Sequence, residues 1–266
     1  MKTLERTPGD PEFVEVGPDS VRIAVRYRAG GEGRPTLVWL GGWRSDMLGS
    51  KAETLDALAA ERGWGALRHD YSGHGESDGD ITGGTISRWT EESLAVLDRF
   101  APNGELLLCG SSMGAWIAIR MALALRERNN AHRLLGLVLI APAPDFVTRL
   151  MEPRLTDEQH EALKDRGRFE EHSDYSDEPN VWTRAFMEDG ARAAVLTGPL
   201  ELGVPVHILQ GTADEEVPLT HAELLMSYLP ADEATMTVVK DGDHRLSRDG
   251  DLALLRRVVG EIVDRQ

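Results

Sequence analysis

The sequence predicts an α/β fold, a mostly parallel sheet of about eight strands covered by helices on both faces. Three observations carry that expectation. Short apolar runs alternate with stretches of helical period along most of the 266 residues. The central runs, such as LVWL and LLLCG, are apolar without alternation, as strands buried on both faces are. A hydrophobic fraction of 41% in a chain of 266 residues is enough for one sizeable core.

The elements follow in order. FVEV (Phe13 to Val16) and VRIAVRYR (Val21 to Arg28) read as a hairpin joined by the turn residues GPDS. TLVWL (Thr36 to Leu40) is a buried strand that stops at Gly41 and Gly42, and Asp46 to Arg62 has helical spacing. WGALRHD (Trp64 to Asp70) is the next strand and Ile86 to Phe100 an amphipathic helix. ELLLCG (Glu105 to Gly110) is a strand feeding a helix over Met113 to Arg128. Leu134 to Pro142, Val204 to Gly211 and Ala234 to Gly242 are further strands, and Asp251 to Arg265 is a closing helix. Between Asp145 and Gly198 the rhythm breaks. No strand is evident there, much of the segment is polar and charged, and Val181 to Leu196 is helical in pattern. The expected organisation is therefore a core of residues 1–144 and 199–266, with 145–198 inserted as a helical lid.

Composition narrows the function classes. The formal charge of -16 repels phosphate, which argues against nucleic acid and anionic membrane as partners. No apolar run reaches the ~20 residues of a membrane span. The segment MKTLERTPGDPEF has no apolar core and carries acids, so it does not read as a secretory signal or a transit peptide. Cys109 is the only cysteine and cannot form an internal disulfide, which points to a reducing, cytoplasmic location. No His-Glu-x-x-His spacing or cysteine cluster suggests a metal, and no cofactor is expected.

One short stretch carries chemistry. In LLLCGSSMGAWIAIR an apolar strand breaks at Gly110-Ser111-Ser112-Met113-Gly114 and resumes with helical period. This is G-x-S-x-G at a strand-to-helix junction, the context the pattern requires. The turn is so sharp that the residues flanking the serine must be small, and it lifts Ser112 above the sheet edge. A serine hydroxyl is a weak nucleophile until a base takes its proton and a third group orients that base. In this arrangement the acid precedes the histidine in the chain. Of the later histidines only His244 follows the last core strand in a turn-rich loop, KDGDHRLSRDG; His207 lies within a strand. His132, His160, His172 and His221 fall on helices, helix ends or the insertion, and His74 precedes Ser112. LQGTADEEVP places Asp214 just past the preceding strand, with Glu215 and Glu216 read as solvated neighbours. Acyl transfer also needs donors for an oxyanion. The N–H of Met113 follows the nucleophile, and the N–H of Trp43 comes from the loop LGGWRSDM.

With these pieces in place the chain resembles the α/β-hydrolase superfamily from about Thr36 onward. GGWRSDMLGSKA, DYSGHGESDG, GSSMGAWIA and DHRLS are similar to the branch of the mitochondrial abhydrolase-domain depalmitoylase and its bacterial relatives. The resemblance implies cleavage of acyl thioesters or acyl glucuronides, with Ser112 as nucleophile, Asp214 as acid, His244 as base, and Trp43 and Met113 as oxyanion donors. Two positions depart from the pattern. Gly41 stands where many relatives have a histidine that braces the loop, and Ala115 where many have glycine.

The expected function is a serine esterase or thioesterase acting on a small-molecule acyl substrate. Phe146, Leu150, Met151, Trp182, Phe186 and Met187 of the insertion would line an acyl pocket. Two other readings share the fold: an acyl-transfer or cyclisation enzyme, and a ligand-binding sensor that retains the triad.

Overall fold

A computed structural model describes residues 10–172, 178–230 and 233–265. Strands β1 (Glu12–Val16), β2 (Val21–Arg28) and β3 (Thr36–Leu40) open the chain, followed by helix α1 (Ser50–Arg62). Next come β4 (Gly65–His69), α2 (Ile86–Phe100), β5 (Leu106–Ser111), α3 (Met113–Glu127) and β6 (Leu134–Ile140). The long connection holds α4 (Asp157–Arg166), β7 (Arg168–Glu171), β8 (Asn180–Thr183) and α5 (Arg184–Arg192). The chain returns through β9 (Val206–Gly211), α6 (Leu219–Ser227), β10 (Ala234–Val239) and α7 (Asp249–Asp264).

Eight strands form one sheet in the order β1-β2-β4-β3-β5-β6-β9-β10. β1 pairs antiparallel with β2, and β2 with β4; every later pairing is parallel. The apolar runs now have a physical reason. Alternate residues of each central strand enter opposite layers. Val38, Leu40, Leu106, Leu108, Leu137 and Leu139 pack in the layer built with α2, α3 and α6. Leu37, Trp39, Leu107, Cys109, Val138 and Ile140 pack in the layer built with α1 and α7. A strand buried on both faces needs apolar residues at every position.

The connection between β6 and β9 departs from the sequence expectation of a purely helical insertion. Val181 to Thr183 is strand, not helix, and Phe169 pairs with Trp182 in a two-stranded antiparallel ribbon of β7 and β8. The cause is local. Thr183 is extended, and its hydroxyl accepts the N–H of Phe186 at 3.1 Å, so it caps α5 and forbids an earlier start. The β-branched and aromatic residues before it favour a strand. Helix α4 opens with a capping box between Thr156 and Gln159 and closes at Gly167, in a left-handed conformation.

The connection is fastened at both ends. Buried Asp145 accepts the N–H groups of Val195 and Leu196, each at 2.8 Å. Trp116 Nε1 and Arg120 Nη1 on α3 both donate to the carbonyl of Ala193. The N–H of Ser87 at the start of α2 donates to Asp189 Oδ2 at 2.9 Å. No helix among the described residues is long and apolar enough to cross a membrane.

Candidate active site

The carboxyl ends of β3, β5, β6, β9 and β10 share one edge of the sheet, because Leu40 pairs with Gly110, Ser111 with Ile140, Ile140 with Leu209 and Val239 with Gly211. Loops at such an edge are where ligands bind in open α/β sheets. Ser112 sits between β5 and α3 with φ 54° and ψ -119°, a strained conformation for a residue with a side chain. The packing explains the flanking glycines. A Cβ on Gly110 would fall 2.4 Å from the carbonyl oxygen of Gly114, and one on Gly114 only 2.1 Å from that of Leu40. The turn is held by Ser112 N–H to Ile140 O and by Ala115 N–H to Ser112 O. Ser111 is buried, while Ser112 stays partly exposed.

The predicted partners converge. Ser112 Oγ lies 3.0 Å from His244 Nε2, and His244 Nδ1 lies 2.9 Å from Asp214 Oδ2. With the carboxylate on Nδ1, the ring carries its proton there and leaves Nε2 free to accept the serine hydroxyl. The Asp214 side chain is fully buried, and that of His244 is 14% exposed. Four donors hold the carboxylate. Oδ1 accepts the N–H of Glu216 and of Val217, and Oδ2 accepts Gln210 Nε2 as well as His244. Gln210 is fully buried on β9, and its importance was not legible in the sequence.

Glu216 is exposed, as a solvated neighbour of Asp214 should be, yet its Oε2 stands 3.5 Å from His244 Nε2, on the serine side of the ring, a proximity the sequence did not show. The turn that points Asp214 at Nδ1 brings the side chain two residues later around to Nε2. The other histidines are placed as expected. His207 bonds Thr235 and Thr237 within the sheet, His221 donates to the carbonyl of Pro144, and His74 is buried.

The loop after β3 lies against the nucleophile. A Cβ on Gly42 would lie 3.4 Å from Ser112 Cβ, so the segment entering Trp43 abuts the serine. Met113 is the first residue of α3, where backbone N–H groups have no partner inside the helix. The brace absent at Gly41 is supplied from another strand end: Tyr71 Oη–H donates to the Gly41 carbonyl at 3.2 Å. Ala115 is fully buried beneath the elbow.

Aromatic side chains roof this edge. Trp43 stacks on Trp182 and lies 5.2 Å from Phe186 and 5.8 Å from Trp89, between ring centroids. Phe146 joins the cluster 6.0 Å from Phe186 and 6.3 Å from Trp182. Of the six pocket residues predicted from the insertion, Phe146, Trp182 and Phe186 thus meet Trp43 or its neighbours, and Met151 and Met187 pack half-buried against the same core. Leu150 is half-buried on the single π-helical turn Val147–Met151, outside the buried core.

Comparison with known proteins bears on this geometry. A family model described as the alpha/beta hydrolase family matches residues 37–254. The mitochondrial palmitoyl-protein thioesterase ABHD10 of Rattus norvegicus is 28% identical over 232 residues, 87% of this chain and 76% of that protein. The Homo sapiens protein of the same name is 27% identical over 251 residues, 93% of this chain and 78% of its own length. Among solved structures, a provisionally assigned hydrolase from Agrobacterium vitis S4 superposes with a TM-score of 0.90 at 50% identity, covering 95% of this chain and 97% of its own. Mouse alpha/beta hydrolase domain-containing protein 10 superposes with a TM-score of 0.84 at 26% identity, covering 97% and 99%.

Proposed function

Because the chain belongs to the α/β hydrolase family, we propose that it is a serine hydrolase that cleaves a carboxylic ester or thioester through an acyl-enzyme on Ser112. The single observation that carries this reading is the line of hydrogen bonds from Ser112 Oγ through His244 to buried Asp214, set on a strained elbow. His244 Nε2 takes the hydroxyl proton as Ser112 Oγ attacks the acyl carbon. The imidazolium then protonates the departing oxygen or sulfur. Asp214 fixes the ring and stabilises the imidazolium without taking its proton. The N–H groups of Trp43 and Met113 receive the oxyanion, and loss of one such donor costs roughly 10²–10³ in turnover. Water repeats the sequence in reverse and frees the carboxylic acid.

The acyl group lies under Trp43, Phe146, Trp182 and Phe186, a roof that excludes bulk water. Residues 145–198 act as the lid that carries it. Two similar proteins bear the name palmitoyl-protein thioesterase, which supports an acyl thioester among the substrates. The test is covalent. A fluorophosphonate adds one probe mass to the protein, mapped to Ser112, and Ser112→Ala abolishes both labelling and ester turnover. Labelling that persists in Ser112→Ala, or moves to Ser111, refutes the assignment.

A further inference from the structure

We propose that Glu216 reads the leaving group, favouring an alcohol or thiol that carries positive charge close to the scissile bond and rejecting one that carries negative charge there. This rests on the serine-hydrolase reading above. The argument is geometric. When the acyl-enzyme forms, the leaving heteroatom must come within about 3 Å of His244 Nε2 to collect its proton. Glu216 Oε2 is 3.5 Å from that same nitrogen. The leaving heteroatom therefore lies at most about 6.5 Å from the carboxylate, and atoms one or two bonds beyond it pass through its field.

The backbone that carries the carboxylate is held in place. The Glu216 N–H donates to Asp214 Oδ1 at 3.1 Å, and Val217, the next residue, is buried, so the backbone beneath the side chain is fixed. The side chain itself is 45% exposed, at the rim of the site. A rim charge acts through a partly aqueous path, which sets the expected discrimination near tenfold rather than thousands. The overall charge of -16 adds a field of the same sign. The acyl side differs: Trp43, Phe146, Trp182 and Phe186 offer only apolar rings and two indole N–H groups already given, that of Trp43 to Asn180 and that of Trp182 to Glu171. The site thus has an apolar half for the acid and an anionic rim for the alcohol or thiol.

The experiment uses three butyrate esters with leaving groups of similar bulk: choline, 3,3-dimethylbutanol and hydroxypivalate. Wild type and Glu216→Gln are compared by kcat/KM at low salt and near 1 M salt. In wild type the choline ester is expected to be favoured over the neutral ester by about tenfold, and the hydroxypivalate ester disfavoured by a similar factor. Both ratios should fall toward one at high salt and in Glu216→Gln. A carboxylate that only stabilises the imidazolium slows all three esters together in Glu216→Gln and leaves the ratios intact, which overturns the proposal. The underlying reading fails differently, through absence of an acyl-enzyme on Ser112 with the neutral ester.

Discussion

Trp43 and Trp182 stack with ring centroids 4.3 Å apart and planes inclined by 27°. The contact joins the loop after β3, proposed above to offer an oxyanion donor, to the β7–β8 ribbon. It is reinforced on both sides. Trp43 Nε1–H donates to Asn180 Oδ1 at 3.0 Å, and Arg44 donates to the carbonyls of Glu178 and Pro179 while pairing with the Glu178 carboxylate. Arg44 holds a positive φ of 54°, so the loop is strained where these contacts fasten it.

The stacked pair should therefore act as one unit. Trp43→Leu keeps the backbone N–H and removes only the ring; Trp182→Leu removes the partner. Each is expected to lower kcat/KM for an octanoyl ester more than for an acetyl ester, since each buried methylene is worth up to ~0.8 kcal/mol. A double-mutant cycle should show coupling of about 0.5–1.5 kcal/mol. Strict additivity would mean that the ring contact transmits nothing between roof and loop.

Asp214→Asn should cut kcat by about 10⁴, because the amide favours the wrong ring tautomer, while substrate binding changes little. Glu215 is exposed, and Glu215→Gln should leave kcat within a factor of two or so, as surface substitutions generally do. Steady-state kinetics with one activated ester separates the two. A damaging Glu215→Gln would identify the wrong carboxylate.

The two glycine positions beside Ser112 make opposite predictions. A methyl on Gly114 would strike the carbonyl oxygens of Leu40 and Gly41 at 2.1 and 2.4 Å, backbone atoms that cannot step aside. Gly114→Ala should destabilise the fold by more than about 3 kcal/mol or prevent soluble expression. A methyl on Gly42 would meet Ser111 O at 3.3 Å and Ser112 Cβ at 3.4 Å, contacts a small shift relieves. Gly42→Ala should fold, with its melting point within a few degrees of wild type, but lose turnover by crowding the oxyanion loop. Equal melting points for the two variants would show that the elbow is not packed as described.

Which parts were legible in the sequence follows from how local the cause is. The strand-to-helix break at Ser112 is written in five adjacent residues, and the loop position of His244 in the turn residues around it. The α4 helix was also legible in principle, since Thr156, Gln159 and Gly167 are its caps. It was obscured because only Ala162 of its ten residues is buried, so no apolar stripe announced it. The β7–β8 ribbon was hidden for another reason. A helical pattern runs through Val181 to Leu196, but the cap at Thr183 starts the helix late and it ends at Arg192, after which the N–H groups of Val195 and Leu196 turn to Asp145. The position of Glu216 against His244 and the support of Asp214 by Gln210 arise from a tertiary turn, which no periodicity encodes.

Acid should destabilise the protein through two buried histidines. His69 gives Nε2–H to Ser93 and leaves Nδ1 without a partner among the described residues; His74 gives Nδ1–H to the carbonyl of Ser72 and leaves Nε2 so. Burial lowers both from the usual 6.5 to about 4. Between those values the unfolded chain binds protons that the folded chain refuses, so stability falls as pH drops from about 6.5 to 4. The loss is on the order of 3 kcal/mol for each residue at full effect. His74→Phe, placed among Trp43, Tyr71 and Trp89, should flatten part of that fall. Melting points at pH 7.5, 5.5 and 4.5 measure it. Parallel curves for wild type and variant would remove His74 from the account.

Alkali should act on the histidine loop through Lys51. Its ammonium group, at the start of α1, donates to the carbonyl of Arg245 and to Ser247 Oγ, the residues just after His244. Burial, with the nearby Arg245 charge, lowers Lys51 from 10.5 to about 8, against the opposing pull of Asp243 and Asp251. Above about pH 8 the tether loses its charge and its bonds weaken. Turnover in wild type should therefore decline above that pH by several-fold as His244 loses its register with Ser112. Lys51→Met should start lower and show no such decline. Stability moves the other way. The folded chain has released the Lys51 proton by about 8, while the unfolded chain keeps it until about 10.5, so this group raises stability as pH climbs between them. Falling kcat with a steady or rising melting point, measured from pH 7 to 10, marks a local loosening of the loop. A melting point that falls together with kcat would instead assign the alkaline limb to global unfolding and leave Lys51 no part in it.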